Sequence, residues 1–535
     1  MPDPLPGRPQ GAPGPLRLVA VPLAALGLAL LAVGLFFQFT GWTRLVLGFT
    51  ALIPLWLAAA WAGLGPRRAH RTLHTWVGLA SALALFLAFC AGTLTVYGKD
   101  LDRWAAPGAP ASADLDGFAR DLHARHPELK GNFSIALPGA EGEGAVAYWA
   151  DPTTGAWVFV GEEAFRRGEA AAERKGLGHF FNELHHELAL GRAGALLLGG
   201  LCLLYALALL TGLVLHLPRG RRVFSIAWRG GARRAWTDAH GALSLAALPL
   251  HLVFAVTGAL FSLFLVLVAT YDATVYRGQL APRLDAILGT ALPQAPAGRP
   301  GSPLPLASLL APVAEASPGF RAEYLRFAHY GDAAGALQVM GRGPGGIAPF
   351  GMAAVALDTG EGVEFQLPGR RDGNHALLSS LYGLHFGDFG GEPVRALWAL
   401  FGLSGAFAFL SGLVAWVEAR RVREPRKARA MARATAGFCA GVLLGLAACF
   451  PAARLGLPSL GAVFATCLAG AVAAAFLQPL KRSLAAIALL AGAACLSIPV
   501  LGPQGHPAVA WTGGAAGLLL LGTAFLARRL RGAWA

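Results

Sequence analysis

"LHHELALG" at residues 184–191 opens a long apolar run that closes with "LALLTGLV" at 207–214, and "LHFGDFGG" at 384–391 opens another that closes with "FAFLSGLV" at 407–414. The two segments lie 200 residues apart, and the histidine-to-glycine spacing is 27 in both, from His185 to Gly212 and from His385 to Gly412. A second pair repeats with an offset of 166: "LHTWVGL" through "CAGTL" (73–94) and "AHGALSL" through "VTGAL" (239–260), where His74 to Gly92 and His240 to Gly258 each span 18 residues. The chain is therefore duplicated internally, as a helix, a long loop and a helix occurring twice in one orientation. Parallel repeats of this kind pack about a pseudo-twofold axis along the membrane normal.

The membrane follows from composition, since 55% of residues are hydrophobic and 14% charged, well outside the range of soluble domains. Apolar runs of the roughly 20 residues needed to cross a bilayer fall near 17–39, 43–64, 73–98, 193–217, 240–270, 395–417, 434–453, 459–478, 484–502 and 508–527. The first lacks a small-residue cleavage pattern and reads as a retained helix. Arg67, Arg68 and Arg71, the arginines between 219 and 234, those between 420 and 433, Lys481, Arg482 and the tail Arg528, Arg529 and Arg531 all fall on one side. By the positive-inside rule that side is cytoplasmic, which puts both termini there and the loops at about 99–190 and 271–394 outside. The net charge of +14 is then topology, and nucleic acid is not an expected partner.

Each long loop has the same plan. In the first, a helix at "LDGFARDLHARHP" precedes strand-like "FSIALP", "AVAYWAD" and "AWVFVG", with "DPTTG" as a hairpin turn. In the second, a Pro-rich linker (293–305) leads to a helix at "PLASLLAPVAEA" and then to "FRAEYLRFA", "GALQVMG" and "MAAVALDTGEGVEFQ". The expected fold is an all-α polytopic membrane protein of about ten helices, with a duplicated core and two small α+β modules outside. Its parts are an N-terminal helix pair (1–66), a first repeat (67–217), a basic loop (218–238), a second repeat (239–420) and four C-terminal helices (421–535). Trp149, Trp157, Tyr324 and Tyr330 are candidate docking contacts on the modules.

The twofold relation places His185 opposite His385 at the outer end of a four-helix bundle, and His74 opposite His240 at the cytoplasmic end. Neutral imidazole is a good iron ligand, and bundle cores hold cofactors between facing helices. Each pair is thus a candidate set of axial ligands, and two b-type haems would form an electron path across the bilayer. The competing reading treats the repeated histidines as structural relics of duplication. His251 follows His240 by 11 residues, three turns plus a small rotation, so on one straight helix both point the same way about 16 Å apart. Its repeat counterpart is Leu85, and that of His216 is Trp416. Pairing of His74 with His251 or His216 stays open, while His186 and His70 read as surface residues.

Cys90, Cys202, Cys439, Cys449, Cys467 and Cys495 all fall in expected helices, and there is neither a disulfide framework nor a C-x-x-C-H motif, which removes covalent haem attachment by the usual sequence. No P-loop or G-x-G-x-x-G opens a nucleotide domain, so electrons would come from a separate cytoplasmic reductase or from quinol. Two further classes remain: a permease working about the parallel repeats, and a non-enzymatic binding or protease-regulating protein.

The segments "RRAHRTLHTWVGL", "ELHHELALG", "WTDAHGALSLAALPLH" with "TGAL", and "GLHFGDFGG" with "GLSGAFAFLSGLVAW" resemble, in that order, the PepSY-associated transmembrane proteins of bacteria over about residues 67–420. The resemblance implies an inner-membrane protein linked to iron uptake, with PepSY-like outer modules and haem b on His74, His185, His240 and His385, and His251 as the family's inner helix histidine. It also implies a ferric siderophore or other ferric chelate as the electron acceptor. Fusion reporters after residues 150 and 330 should report the periplasm and those after 225 and 428 the cytoplasm. A cytoplasmic signal at 150 breaks the pairing of histidines by membrane face.

Overall fold

The computed structural model describes residues 66–521 apart from 106–113, 142–143, 173–175, 217–223, 227–230, 281–283, 285–287, 294, 345, 503–508 and 510–512. The expected spans at 17–39 and 43–64 and much of that at 508–527 lie outside the described residues. Among those described, six helices are long and apolar enough to cross a membrane: Arg68–Thr95 (within the helix Pro66–Thr95), Gly191–His216, Gly391–Arg420, Pro425–Arg454, Leu460–Leu477 and Leu480–Leu501. The protein is a polytopic membrane protein with a small antiparallel sheet. It divides into two compact units, residues 1–82 with 195–270 and residues 83–194 with 271–535.

In the first unit, the run expected as one span at 240–270 is two helices, Ala232–Ala246 and Leu248–Ser262, meeting at 73°, followed by Phe264–Tyr271. The expectation of one straight helix carrying His240 and His251 on the same side is therefore corrected. The cause is Pro249, in the first turn of the second helix. It has no N–H to bond back to the preceding turn, and its ring would strike the carbonyl there. Elsewhere in this unit Leu73 and Val77 of the first helix pack on Ala208 of Gly191–His216.

The second unit holds the sheet. Its strands are β1 (Phe133–Ala136), β2 (Val146–Ala150), β3 (Trp157–Gly161), β4 (Arg321–Ala328), β5 (Ala336–Arg342), β6 (Phe350–Ala356) and β7 (Gly362–Gln366), in the order β3-β2-β1-β4-β5-β6-β7. The two loops thus build one sheet where two modules were expected. β1 and β4, the first strands of the two loops, pair antiparallel with Ser134 opposite Arg326 and Ile135 opposite Leu325. The first six strands read symmetrically outward from that seam, as a twofold between the loops requires. Joining there removes one open edge from each half, an edge that would otherwise expose unpaired backbone groups.

Side chains alternate across the sheet. One face presents Ile135, Leu325, Leu337, Val339, Ala353 and Val355 to Phe118 and Leu122 of the helix Leu115–Arg125 and to Leu309 and Val313 of the helix Leu306–Ala316, in one shared core. Asp116 of the first-loop helix accepts from the backbone N–H of Leu306 at 2.8 Å, capping the start of the second-loop helix. Trp149 lies in this core and Tyr330 packs against it, so neither is a free docking residue. Trp157 is exposed.

The C-terminal helices pack tightly within the same unit. Gly437, Gly441 and Gly445 form one stripe of Pro425–Arg454, where an added Cβ would meet Ala475, Ala471 or Phe464 at 3.0 Å or less, the close approach that small residues permit between membrane helices. The helices Gly98–Ala105 and Leu177–Glu187 then rest on this bundle. Trp104 and Phe181 both pack on Phe450, with ring centroids 5.7 Å away, and Phe180 packs on Phe464. The single-sheet arrangement has a direct check. With cysteines introduced as S134C and R326C, oxidation should hold the two loops together on a non-reducing gel after protease cleavage in the 293–305 linker. Separation of the fragments would mean two independent modules.

Candidate functional site

His185 sits in the last turn of Leu177–Glu187 and His385 in the last turn of Gly373–Phe386. Each helix then turns sharply into a membrane helix. Leu188 and Ala189 take left-handed φ of 53° and 54° in the first repeat, and Gly387 takes 66° in the second. The non-glycine residues each cost roughly 1–2 kcal/mol in that conformation, so tertiary packing imposes the turn. In the second repeat the indole N–H of Trp398 donates to the Leu384 carbonyl at 2.9 Å, and Gly387 admits the same indole. His385 is thereby clamped from both sides.

The imidazoles of His185 and His385 lie 6.0 Å apart, ring centroid to ring centroid, at an interplanar angle of 39°. His185 Nδ1 is 2.8 Å from the Ala88 carbonyl. A carbonyl can only accept, so Nδ1 carries the proton and Nε2 the lone pair. Both residues are partly accessible. Burial, and behind it the neighbouring His185, nevertheless pushes His385 down to about 3; burial likewise lowers His185 against the opposing pull of its Ala88 bond. Both are neutral near pH 7, the form that binds metal ions.

The first unit contains the matching arrangement. His74 and His240 have ring centroids 6.0 Å apart at 65°, and His74 Nδ1 is 2.9 Å from the Ala208 carbonyl. In each case the accepting carbonyl is four residues before a glycine, Ala88 before Gly92 and Ala208 before Gly212. An added Cβ on Gly92 would lie 2.6 Å from His185 Nδ1, and one on Gly212 would lie 3.1 Å from His74 Cε1. The glycines leave the helix open at the carbonyl that the imidazole reaches. This gives a role to Gly92 and Gly212, whereas at Gly258, the counterpart of Gly92, an added Cβ would instead meet Cys202 Sγ at 3.0 Å.

Two imidazoles on opposite sides of one metal ion, each with a bond of about 2.0 Å and a ring nitrogen about 1.1 Å from its centroid, would have centroids about 6.2 Å apart, and at a tetrahedral angle about 5 Å. The centroid separations of both pairs are close to the first of these spacings, and a main-chain acceptor on the other nitrogen, present at His74 and His185, is the usual support of a ligating histidine. The remaining histidines are placed differently. His251 is fully buried against Tyr205 and Phe254, with ring centroids 6.2 Å and 6.4 Å away. The ring of His216 packs against Gly241, next to His240. His186 bonds its own helix at the Asn182 carbonyl.

Residues 71–419 match the family described as the PepSY-associated TM region. The chain belongs to that family. It is also similar to the uncharacterized protein PA4219 of Pseudomonas aeruginosa, 32% identical over 339 residues that cover 59% of this chain and 84% of that protein. The matched PepSY-associated region contains both histidine pairs and His251, and it spans the two loops that build the sheet.

Sequence reasoning missed the carbonyls of Ala88 and Ala208, because main-chain groups carry no residue signature; the glycines at +4 were the available signal. It also missed the link between the sheet and the His385 turn, where Arg342 of β5 bonds Asp388 at 2.8 Å and Glu323. Gly92→Ala should destabilise the purified protein by about 1–3 kcal/mol through overpacking, and Gly212→Ala by less, since its contact is looser. Thermal unfolding in detergent reads both, and equal, negligible shifts would show that the imidazoles do not depend on these glycines.

Proposed function

We propose that this protein is a haem b protein of the bacterial inner membrane that passes electrons outward, with a ferric siderophore or another ferric chelate as acceptor. The observation that carries the reading is the pair of bis-imidazole arrangements, each at 6.0 Å and each with one Nδ1 held by a main-chain carbonyl four residues before a glycine. His185 and His385 would hold one haem, and His74 and His240 the second. Bound haem supplies one-electron redox chemistry whose potential depends on axial ligands, hydrogen bonding and burial.

The chain's own residues support this in specific ways. The carbonyls of Ala88 and Ala208 keep Nδ1 protonated, fix the ring plane and make Nε2 the more basic nitrogen. Burial keeps His185 and His385 neutral. By the positive-inside rule the arginine-rich loops would put His74 and His240 at the cytoplasmic end, where a separate reductase or quinol would deliver the electron. Oxygen donors in ferric chelates favour Fe(III) over the softer Fe(II), so reduction would loosen the chelate outside. The single sheet built from both loops would be the surface that faces it.

One observation favours a permease instead. The 73° break between Ala246 and Leu248 stands beside fully buried His251 and Thr257, and discontinuous helices with buried polar groups are a transporter's means of building a binding site.

A reduced-minus-oxidised spectrum with haem quantification separates the two. His185→Ala and His385→Ala should each abolish the same low-spin component, and His74→Ala and His240→Ala the other. Ferric-chelate reduction by membrane vesicles should fall at least tenfold in all four. A colourless protein after expression with adequate haem sinks the haem reading and leaves the permease. Loss of the second component in His251→Ala, with its retention in His240→Ala, reassigns that haem to His251.

A further inference from the structure

The sheet face turned away from its apolar core carries a feature that neither histidine pair uses. Trp157 and Phe159 are two residues apart on β3 and so share that face. Tyr148 of β2 lies opposite Phe159, with its ring centroid 5.7 Å from Phe159 in a stacked arrangement and 6.0 Å from Trp157. Tyr324 of β4 donates its hydroxyl proton to Glu141 Oε1 at 2.6 Å. These five residues and His179 line a cavity of about 280 Å³. One wall is therefore the helix Leu177–Glu187, which also carries His185. Trp157 is 57% exposed, so the cavity opens to solution along that residue.

Glu141 is the carboxylate in the lining, while His179 lies 3.4 Å from Glu183. Burial first, and then the charges of Glu141 and Glu323, push the Tyr324 phenol far above its ordinary value. Burial with a contribution from Glu141 raises Tyr148, against the opposing effects of Ser134 and Arg326. Lys99 also feels Glu141, and together with Arg326 it tempers the field without entering the lining. Four aromatic rings about one carboxylate match the needs of a ligand that is flat, for stacking, and positive, for the ring quadrupoles and Glu141. An anion would meet repulsion from both, and a neutral molecule would gain only the stacking.

We propose that this cavity is a binding site for a small, flat organic cation, held by Tyr148, Trp157 and Phe159 and charge-matched by Glu141. The site stands independently of whether haem is bound, although its occupant would lie against the helix that carries His185.

Calorimetric titration of the full chain in detergent with 1-methylquinolinium, and with uncharged quinoline at pH 7.5, tests it. The cation should bind saturably, and quinoline at least tenfold more weakly. Trp157→Ala should weaken both probes, whereas Glu141→Gln should weaken the cation tenfold or more and leave quinoline unchanged. Trp157 is exposed and Glu141 lies in a loop, so both variants should keep the wild-type far-ultraviolet circular dichroism and any haem spectrum. Equal affinity for the two probes, no saturable binding of the cation, or a cation affinity unchanged by Glu141→Gln would overturn the proposal. Each of those results leaves the haem reading intact, because that reading is decided by the visible spectrum.

Discussion

A helix carbonyl already accepts one hydrogen bond from the N–H four residues on, and its second lone pair is normally screened by the side chain of that later residue. At Ala88 and Ala208 the later residue is glycine, and the carbonyl accepts a further hydrogen bond, from His185 and from His74, with Thr211 also donating to Ala208. Much of the architecture around the two histidine pairs depends on this contact. It supplies the hydrogen bond that a polar ring needs when it leaves water, it fixes which nitrogen is protonated, and it holds each ring at the distance where a second imidazole stands opposite. A methyl group in place of either glycine hydrogen occupies the space the ring uses.

The second constraint is the turn that brings His185 and His385 to the same place. Both lie in the last turn of helices that end in left-handed residues, and both helices are braced by elements far away in sequence. The C-terminal helices support the first of them through Phe450 and Phe464, which gives those apolar segments a role beyond crossing the bilayer. The sheet supports the second, through Arg342 on Asp388 and through Phe350 packed against Tyr382 with ring centroids 6.1 Å apart. Buried Asp100, bonded to Arg103 and Arg395, joins the helix Gly98–Ala105 to Gly391–Arg420 in the same region. The surroundings of the His185 and His385 pair are thus cross-braced and built from both repeats.

Each pair draws one histidine from each repeat, and the compact units cut across the repeats accordingly: His74 and His240 fall in one, His185 and His385 in the other. Duplicated halves that interlock in this way bury a shared core where separate halves would leave edges and apolar faces open. The same reasoning accounts for the sheet. Neither loop alone has strands enough to cover an apolar face and close its inner edge, whereas β1 paired with β4 does both.

Much of this was legible from the chain itself. Apolar runs of bilayer length, arginines gathered in alternate loops and two constant offsets between histidines and glycines are properties of sequence, because hydrophobicity, charge and repeat spacing act locally and leave local signatures. They determined the membrane class and the duplication, and they singled out the repeated histidines while leaving the partner of His74 open. The tertiary structure alone decided the rest. Whether β1 pairs only with β2 of its own loop or also with β4 of the other depends on which edges are left unsatisfied after folding. Whether His251 shares a side with His240 depends on how the chain bends at Pro249. Which atoms receive the imidazole protons depends on the approach of two helices at glycine, a contact between main-chain groups that no side-chain pattern names.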